Sequence, residues 1–258
     1  MRASDRVQGL IGGALAGLAS GLFGVGGGLL LVPILTRRFH CSQHQAHGTS
    51  LAVIGLTALA GVVVYAWNGH VQWTTAAGVA LASAVTARFG ARLATRLSSI
   101  GLARAFALFL VAVAIRLLLK TPNPSPVSFH HGWLGFGIDL ALGSAVGILA
   151  GFMGVGGGIL AVPVFTLALG MTQQAAQGTS LAVIMVSGPA GTFEHARHGN
   201  VVWNLVPALA LGSLVGAPLS SWAAQLIPQV VLVRSFAVFL IVNAVLTWLR
   251  PPIRRREA

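Results

Sequence analysis

The sequence predicts an all-α polytopic membrane protein made of two homologous halves, each with about five helical elements, one of them broken by a glycine-rich loop. The halves are expected to be inverted repeats. Three observations carry this. The charge that a soluble domain needs is missing: Asp, Glu, Lys and Arg supply 8% of 258 residues, hydrophobic residues 55%, and the mean hydropathy is +0.84. A soluble domain carries roughly 25% charged residues, because something must face water. Apolar runs of about 20 residues, the length that crosses a hydrocarbon core of about 30 Å, recur along the chain. Finally, the chain repeats itself at a constant offset, the one that separates Gly24 from Gly154. Gly24-Val25-Gly26-Gly27-Gly28, followed by Pro33, returns as Gly154-Val155-Gly156-Gly157-Gly158 with Pro163. Gly48-Thr49-Ser50-Leu51-Ala52-Val53-Ile54 returns unchanged from Gly178 to Ile184, and between Gly13 and Ile54 21 of 42 positions match their copies without a gap. Such internal repetition fixes the architecture before any detail.

Val7 to Phe39 is one nearly continuous apolar run of 33 residues. As a single helix it would reach about 50 Å at 1.5 Å per residue, too long for one ordinary crossing. The glycines in its middle each cost about 1 kcal/mol relative to alanine in a helix. The run therefore predicts two helical pieces, about 7–23 and 28–39, joined by a glycine loop. Gly13, Gly17 and Gly21, copied as Gly143, Gly147 and Gly151, place a small residue at every fourth position, a pattern that permits close helix packing in lipid. Arg2 and Arg6 ahead of a small-residue apolar run resemble a signal peptide. The copy of that run lies mid-chain, so the first segment is expected to be retained structure.

A third helix is expected from Ser42 (Thr172 in the copy), both good N-caps, to about Trp67. A fourth follows over about 73–95 and a fifth over 102–119. Pro122, Pro124 and Pro126 mark a stiff polar linker. The plan repeats at about 135–153, 158–170, 172–197, 201–226 and 231–250. Residues 1–120 thus form a first repeat, 121–134 the linker and 135–258 a second repeat, within one membrane domain.

Five elements per half is odd, so the second half must begin from the opposite side of the membrane. With the N-terminus inside, 13 of the 16 basic residues fall at cytoplasmic ends and only Arg116, Lys120 and Arg234 fall outside. If the glycine-containing run crossed only once, the split would be 9 to 7. The positive-inside rule favours the inverted arrangement with both termini cytoplasmic. The net charge of +12 would suggest nucleic acid in a soluble protein. Here the basic residues sit singly or in pairs at the ends of apolar runs, with only Arg254-Arg255-Arg256 forming a cluster, so no nucleic-acid partner is expected. The lone Cys41 excludes an internal disulfide.

Interrupted helices in matching positions of inverted repeats are the best sequence pointer to a transporter's substrate site. Non-helical backbone at membrane depth is tolerated only where it is buried in protein or lines a water-filled cavity. The helical piece after each loop begins with unsatisfied N–H groups and a positive dipole end, which attract an anion. Glycine lets a ligand approach that backbone closely. Thr49, Ser50, Thr179 and Ser180 lie about two turns into their helices, where hydroxyls could reach ligand oxygens. His47 and Gln177 occupy matching positions one turn shallower.

The doubled Gly-Val-Gly-Gly-Gly loops followed by proline, each with Gly-Thr-Ser-Leu-Ala-Val-Ile downstream, resemble the sulfite exporter TauE/SafE family, also called the 4-toluene sulfonate uptake permease family. The resemblance covers nearly the whole chain. It implies a multi-pass transporter of the bacterial inner membrane for a small sulfur-containing anion such as sulfite or an organosulfonate. By position it implies substrate-binding roles for Gly24, Gly26, Gly27, Gly28, Thr49 and Ser50, and for Gly154, Gly156, Gly157, Gly158, Thr179 and Ser180.

Plainer readings stand beside each of these. The glycines could serve helix packing alone, and the hydroxyls could bond back to their own helices. His47 could be packed or solvated, although it is the titratable group nearest the expected site. The motif is not a dinucleotide loop, because Gly-x-Gly-x-x-Gly would need glycine where Leu29 stands. Carboxylates are few: Asp5, Asp139, Glu194 and Glu257. Glu194 is expected to pair with neighbours at the interface rather than relay protons, and Arg88, Arg92 and Arg96 to snorkel toward headgroups. Trp67, Trp73, Trp203 and Trp248 read as interfacial anchors. No nucleophile–base pair or metal cluster is legible, so neither an enzyme nor a cofactor is expected. A passive anion channel with the same loops as its constriction is the alternative to a permease.

Overall fold

The computed structural model describes residues 3–94, 99–119, 133–153 and 158–249. Among them are ten helices and no strand: α1 (Ala3–Phe23), α2 (Gly28–Arg37), α3 (Gln43–Trp67), α4 (Trp73–Ala94), α5 (Ser99–Leu119), α6 (Trp133–Met153), α7 (Gly158–Leu167), α8 (Gln173–Arg197), α9 (Val206–Leu226) and α10 (Gln229–Trp248). The five-plus-five plan of the sequence is present. Its proline linker lies outside the described residues.

The two central helices are α3 and α8, each the other's copy. They run antiparallel: Gly48 lies against His195, Leu51 against Gly191, Gly55 against Gly188, Gly61 against Leu181 and Tyr65 against Gly178. Two equivalent helices that meet antiparallel are related by a pseudo-two-fold axis across them, which is the inverted arrangement. The axis passes between Gly55 and Gly188, where the backbones come so close that a Cβ on Gly188 would sit 2.9 Å from the Gly55 Cα.

Each half grips the other through its glycine stripe. A Cβ on Gly13 would overlap the Leu209 carbonyl, and one on Gly21 the Ala217 carbonyl. On the facing helix, Gly212 and Gly216 lie equally tight on the carbonyls of Leu10 and Ala14. In the pseudo-symmetric pair, Gly143 and Gly147 of α6 lie against Val79 and Ser83 of α4. Small residues at such spacing let helices approach closely in lipid, where association rests on packing rather than on a hydrophobic driving force. Thus α1 packs on α9 and α6 on α4, each first helix on the fourth helix of the other repeat.

These contacts also sort the helix ends. Gly9 of α1 sits beside Ala208, at the start of α9, and α9 follows α8 through a turn whose Asn200 touches Gly48. The start of α1, the end of α2, the start of α3 and the end of α8 therefore share one end of the molecule. The ten residues of α2 span about 15 Å, so α1 and α2 form a re-entrant hairpin that returns to the end where it began. Three helices per repeat, α3 to α5 and α8 to α10, then run the full depth. Of the described helices, α3, α9 and α10 are long and apolar enough to cross a membrane by length and composition. Large apolar side chains such as Leu81, Val85, Leu211, Val215 and Val242 face outward, which suits contact with lipid.

Most helix boundaries fall within three residues of expectation, and two differ by more. Helix α1 starts at Ala3, with Asp5 in its first turn, where a negative charge suits the positive dipole end. Helix α9 starts at Val206 rather than near 201, because Val201–Leu205 forms a turn closed by Leu205 N–H to Val202 O and Val206 N–H to Trp203 O. The expected caps are present. Ser42 makes a capping box with Gln45, and Thr172 accepts from the Ala175 N–H at 3.2 Å.

Candidate substrate site at the first glycine loop

The first loop leaves α1 with the Gly24 N–H bonded to the Ser20 carbonyl at 2.7 Å. Gly24, Gly26 and Gly27 then adopt φ of 69°, 75° and 76°, a left-handed conformation that glycine tolerates and side chains rarely do. The loop lies near mid-depth: Gly26 faces Ile54 and Ile184, on either side of the pseudo-two-fold axis. Gly27 is the N-cap of α2 and offers no side chain to its first amides. Gly28 opens α2 above Ser50, whose Oγ is 3.5 Å from where a Cβ would be. From the other repeat, Gly158 opens α7 directly against the Val25 backbone, with Val25 C and O each 3.0 Å from a Cβ placed there. The start of α7 thus meets the first loop close to the axis. Gly154, Gly156 and Gly157 lie outside the described residues.

The predicted hydroxyls divide into two kinds. Ser180 is fully buried and donates to the Gly24 carbonyl at 2.8 Å, with the Gly158 carbonyl at 3.3 Å, so it sits between the first loop and the start of α7. Ser50, also buried, sits under Gly28 in the equivalent place. Thr49 and Thr179 serve the seam between repeats. The Thr49 Oγ1 accepts from the Val202 N–H at 2.9 Å, and the Thr179 Oγ1 from the Gln72 N–H at 3.0 Å.

His47 and Gln177 have diverged in environment. Gln177 is fully buried, its Cα against Gly24, and its Oε1 is 2.9 Å from the hydroxyl of Tyr65. The same hydroxyl lies 2.8 Å from the Gly21 carbonyl. A phenol has one proton to give, so the two bonds are both satisfied only if the amide is turned to donate. In either orientation one polar atom of Gln177 faces the interior without a partner; as placed, it is Nε2. Gln173, one turn earlier and also fully buried, lacks partners at both amide atoms. Buried polar groups without partners are uncommon in folded proteins, and each calls for a physical account. His47, by contrast, is only half-buried, with Nε2 3.3 Å from Nε2 of the exposed Gln43.

Sequence reasoning did not single out Tyr65, because its copy is His195 and the repeat signal stops short of it. Nor did it point to Ile54 and Ile184 as the apolar floor of the loop. The remaining expectations can be placed. Glu194 pairs with His198 at 3.9 Å on the surface. Asp139 is buried in the second turn of α6, with its Cβ against Gly78 of α4. Trp67, Trp73, Trp203 and Trp248 are all exposed at helix ends. The side chains of Arg88, Arg92 and Arg96 lie outside the described residues.

Comparison with known proteins agrees with this architecture. The sulfite exporter TauE/SafE family matches residues 2–117 and 138–258, one stretch per repeat. The chain belongs to the sulfite exporter TauE/SafE family. It is 32% identical over 215 residues to a probable membrane transporter protein of Xylella fastidiosa, covering 81% of each chain. It is 28% identical over 231 residues to another of Bacillus subtilis, covering 81% of this chain and 85% of that one. A probable membrane transporter protein of Methanocaldococcus jannaschii is 30% identical over 165 residues, 62% of this chain and 61% of that one. No solved structure matches the chain. As a TauE/SafE protein it is a membrane transporter that works on a small molecule in a lipid bilayer.

Proposed function

We propose that this TauE/SafE protein is a permease of the bacterial inner membrane that moves a small oxyanion of the sulfite or organosulfonate class. The anion would be held where the two glycine loops meet, with both termini cytoplasmic. The observation that carries the reading is the contact of Val25 with Gly158 close to the pseudo-two-fold axis, which sets the start of α7 against the first glycine loop. The first amides of a helix have no intrahelical acceptor, and the N-terminal dipole favours negative charge. With Gly27 as a cap lacking a side chain, those donors are left for a ligand rich in acceptor oxygens. A helix start inside low-dielectric surroundings binds an anion without a permanent positive charge, which suits a site that must also let go. The reading is of transport and not of catalysis.

A permease fits better than a channel for one reason. Gln173, Gln177 and Tyr65 are fully buried at one end of the α3–α8 pair, whereas their counterparts Gln43, His47 and His195 are exposed or half-exposed. A conformation sealed on one side is a step of alternating access.

The test is thermal stabilisation of the purified protein by sulfite, thiosulfate, sulfate, small organosulfonates and carboxylates. Gly27 is a poor position to bulk, since its φ is positive and a Cβ would come within 2.6 Å of the Ala16 carbonyl. Gly28→Ala is the better variant, because the added methyl meets Ser50 and Ile54 at ordinary contact distance. Saturable stabilisation by one sulfur oxyanion, weakened about tenfold or more in Gly28→Ala, is expected; about 1.4 kcal/mol of lost binding gives that factor. An unchanged response in the variant would remove the ligand from the loops. Flux in proteoliposomes that saturates would separate permease from channel, for which ohmic current is expected.

A further inference from the structure

The repeat gives each position on α3 a counterpart on α8, and at the two ends of this helix pair the counterparts differ in chemistry. At one end Tyr65 and Gln177, 2.9 Å apart and fully buried, close the space beside Gly21 and Gly24. At the other end the same two positions are His195 and His47. Neither a phenol nor an amide changes charge near neutral pH, whereas imidazole does.

The histidine end gathers further titratable groups from each element around it. Helix α3 brings His44 beside His47. Helix α8 brings His198 and Glu194, 3.9 Å apart, and Arg197, whose guanidinium lies 5.5 Å over the Phe193 ring. The turn after α8 presses Asn200 onto Gly48, with the His195 Cβ alongside. The α2–α3 turn adds Arg37, Arg38 and His40, all exposed or near the surface, and the start of α1 adds Asp5 and Arg6. His44, His198 and Glu194 are close enough for His195 to feel their charge. The His195 Nδ1 is buried with no partner, although the residue as a whole is half-exposed. Water therefore reaches His47 and His195 at this end, whereas Tyr65 and Gln177 are fully buried at the other.

We propose that His47 and His195, with His44 and His198 around them, form a proton-binding site that sets access to the glycine loops from this end. The proposal rests on the transport reading above. Neutral imidazoles can share a hydrogen bond and close, as Tyr65 and Gln177 do. Protonated, the cluster carries like charges, with Glu194 as its neighbouring carboxylate, and it needs water around it, so the end stays open. Acid therefore favours the open end and alkali the closed one.

The test uses a readout that does not depend on cargo. Spin labels on Arg38→Cys and Asn204→Cys, both exposed at this end, are placed in a Cys41→Ser background, and the distance is measured by pulsed electron resonance in nanodiscs at pH 5.5 and pH 8.5. A longer distance at pH 5.5 is expected. It should become independent of pH in His47→Gln/His195→Tyr, which installs the opposite end's own pair. An unchanged distance across pH with the native histidines, or a shift that survives the double substitution, overturns the proposal. Should the double variant not fold, His195→Gln carries the same comparison. Flux of radiolabelled sulfite and thiosulfate in proteoliposomes is measured in parallel. If neither moves, the oxyanion reading fails, while the distance measurement still decides the proton site.

Discussion

The hydroxyl of Thr49 in the first repeat accepts a hydrogen bond from the backbone N–H of Val202 in the second at 2.9 Å, and its copy Thr179 takes the equivalent bond from Gln72 at 3.0 Å. Each threonine holds the turn that leads into the fourth helix of the opposite repeat. Beside each, Gly48 and Gly178 let that turn come into contact through the carbonyls of Asn200 and His70. The motif Gly-Thr-Ser is therefore a seam as well as a neighbour of the loops: glycine admits the other half, threonine fastens it, and serine reaches the centre.

It follows that Thr49→Val, which keeps the shape and removes the acceptor, should cost about 1 kcal/mol of stability by orphaning the Val202 N–H. Thr179→Val should cost a similar amount, and the double variant about the sum, since the two bonds lie at opposite ends of the helix pair. Thr49→Ser keeps the oxygen and should stay near the parent. Denaturation in detergent reads all four. A Thr49→Val protein as stable as the parent, but with altered anion response, would instead make Thr49 a ligand contact.

The repeat, the first glycine loop and both N-caps were legible because each is a local pattern: an offset, a break in helix propensity, a hydroxyl before an apolar run. The partner of each element was not. Repetition says that α1 and α6 are equivalent, yet only the structure shows that α1 lies on α9 and α6 on α4, because a glycine stripe specifies closeness and not which helix supplies it. The Thr49 and Thr179 hydroxyls were found by position, but their use depends on turns that belong to the other repeat and lie far off in sequence. Tyr65 escaped notice since its importance comes from three groups, Gly21, Gln177 and itself, that are scattered in sequence, and both Tyr65 and Gln177 differ from their copies His195 and His47.

The interlocking stripe makes a sharp steric prediction. Gly13→Ala places a methyl on the Leu209 carbonyl and Gly212→Ala one on that of Leu10; backbone cannot rotate aside as a side chain can. Each should destabilise by at least about 2 kcal/mol or abolish folding. Gly137→Ala is the control. No atom lies within 4 Å of its Cβ position and the residue is helical, so alanine should be neutral or add about 0.5–1 kcal/mol. Size-exclusion profiles and melting temperatures of the three variants separate packing from mere loss of glycine. Equal behaviour of Gly13→Ala and Gly137→Ala would contradict the observed interlock.

Tyr65→Phe retains the ring that fills the space beside Gly178 and removes the hydroxyl between Gly21 and Gln177. The Gly21 carbonyl then loses its bond, and a second polar atom of Gln177 joins the one already unpartnered. A stability loss of about 1–2 kcal/mol is expected. Because the missing bond belongs to the sealed end, hydrogen exchange at the start of α8 should also quicken, while exchange near His195 stays as it was. Uniform change along α8 would argue that Tyr65 is only a packing residue.

Cys41 offers a check on orientation. It lies in the α2–α3 turn, at the same end as the start of α1 and the end of α8, and burial pushes its thiol up from the ordinary range. The thiolate is the reactive form, so a raised pKa means a smaller reactive fraction near neutral pH and slower maleimide labelling than for a free thiol. The rate should keep climbing with pH beyond the point where a free cysteine levels off. With the positive-inside assignment, a membrane-impermeant maleimide should label Cys41 in inside-out vesicles and spare it in right-side-out ones. The reverse pattern would place the histidine end outside, and with it the side from which protons reach His47 and His195.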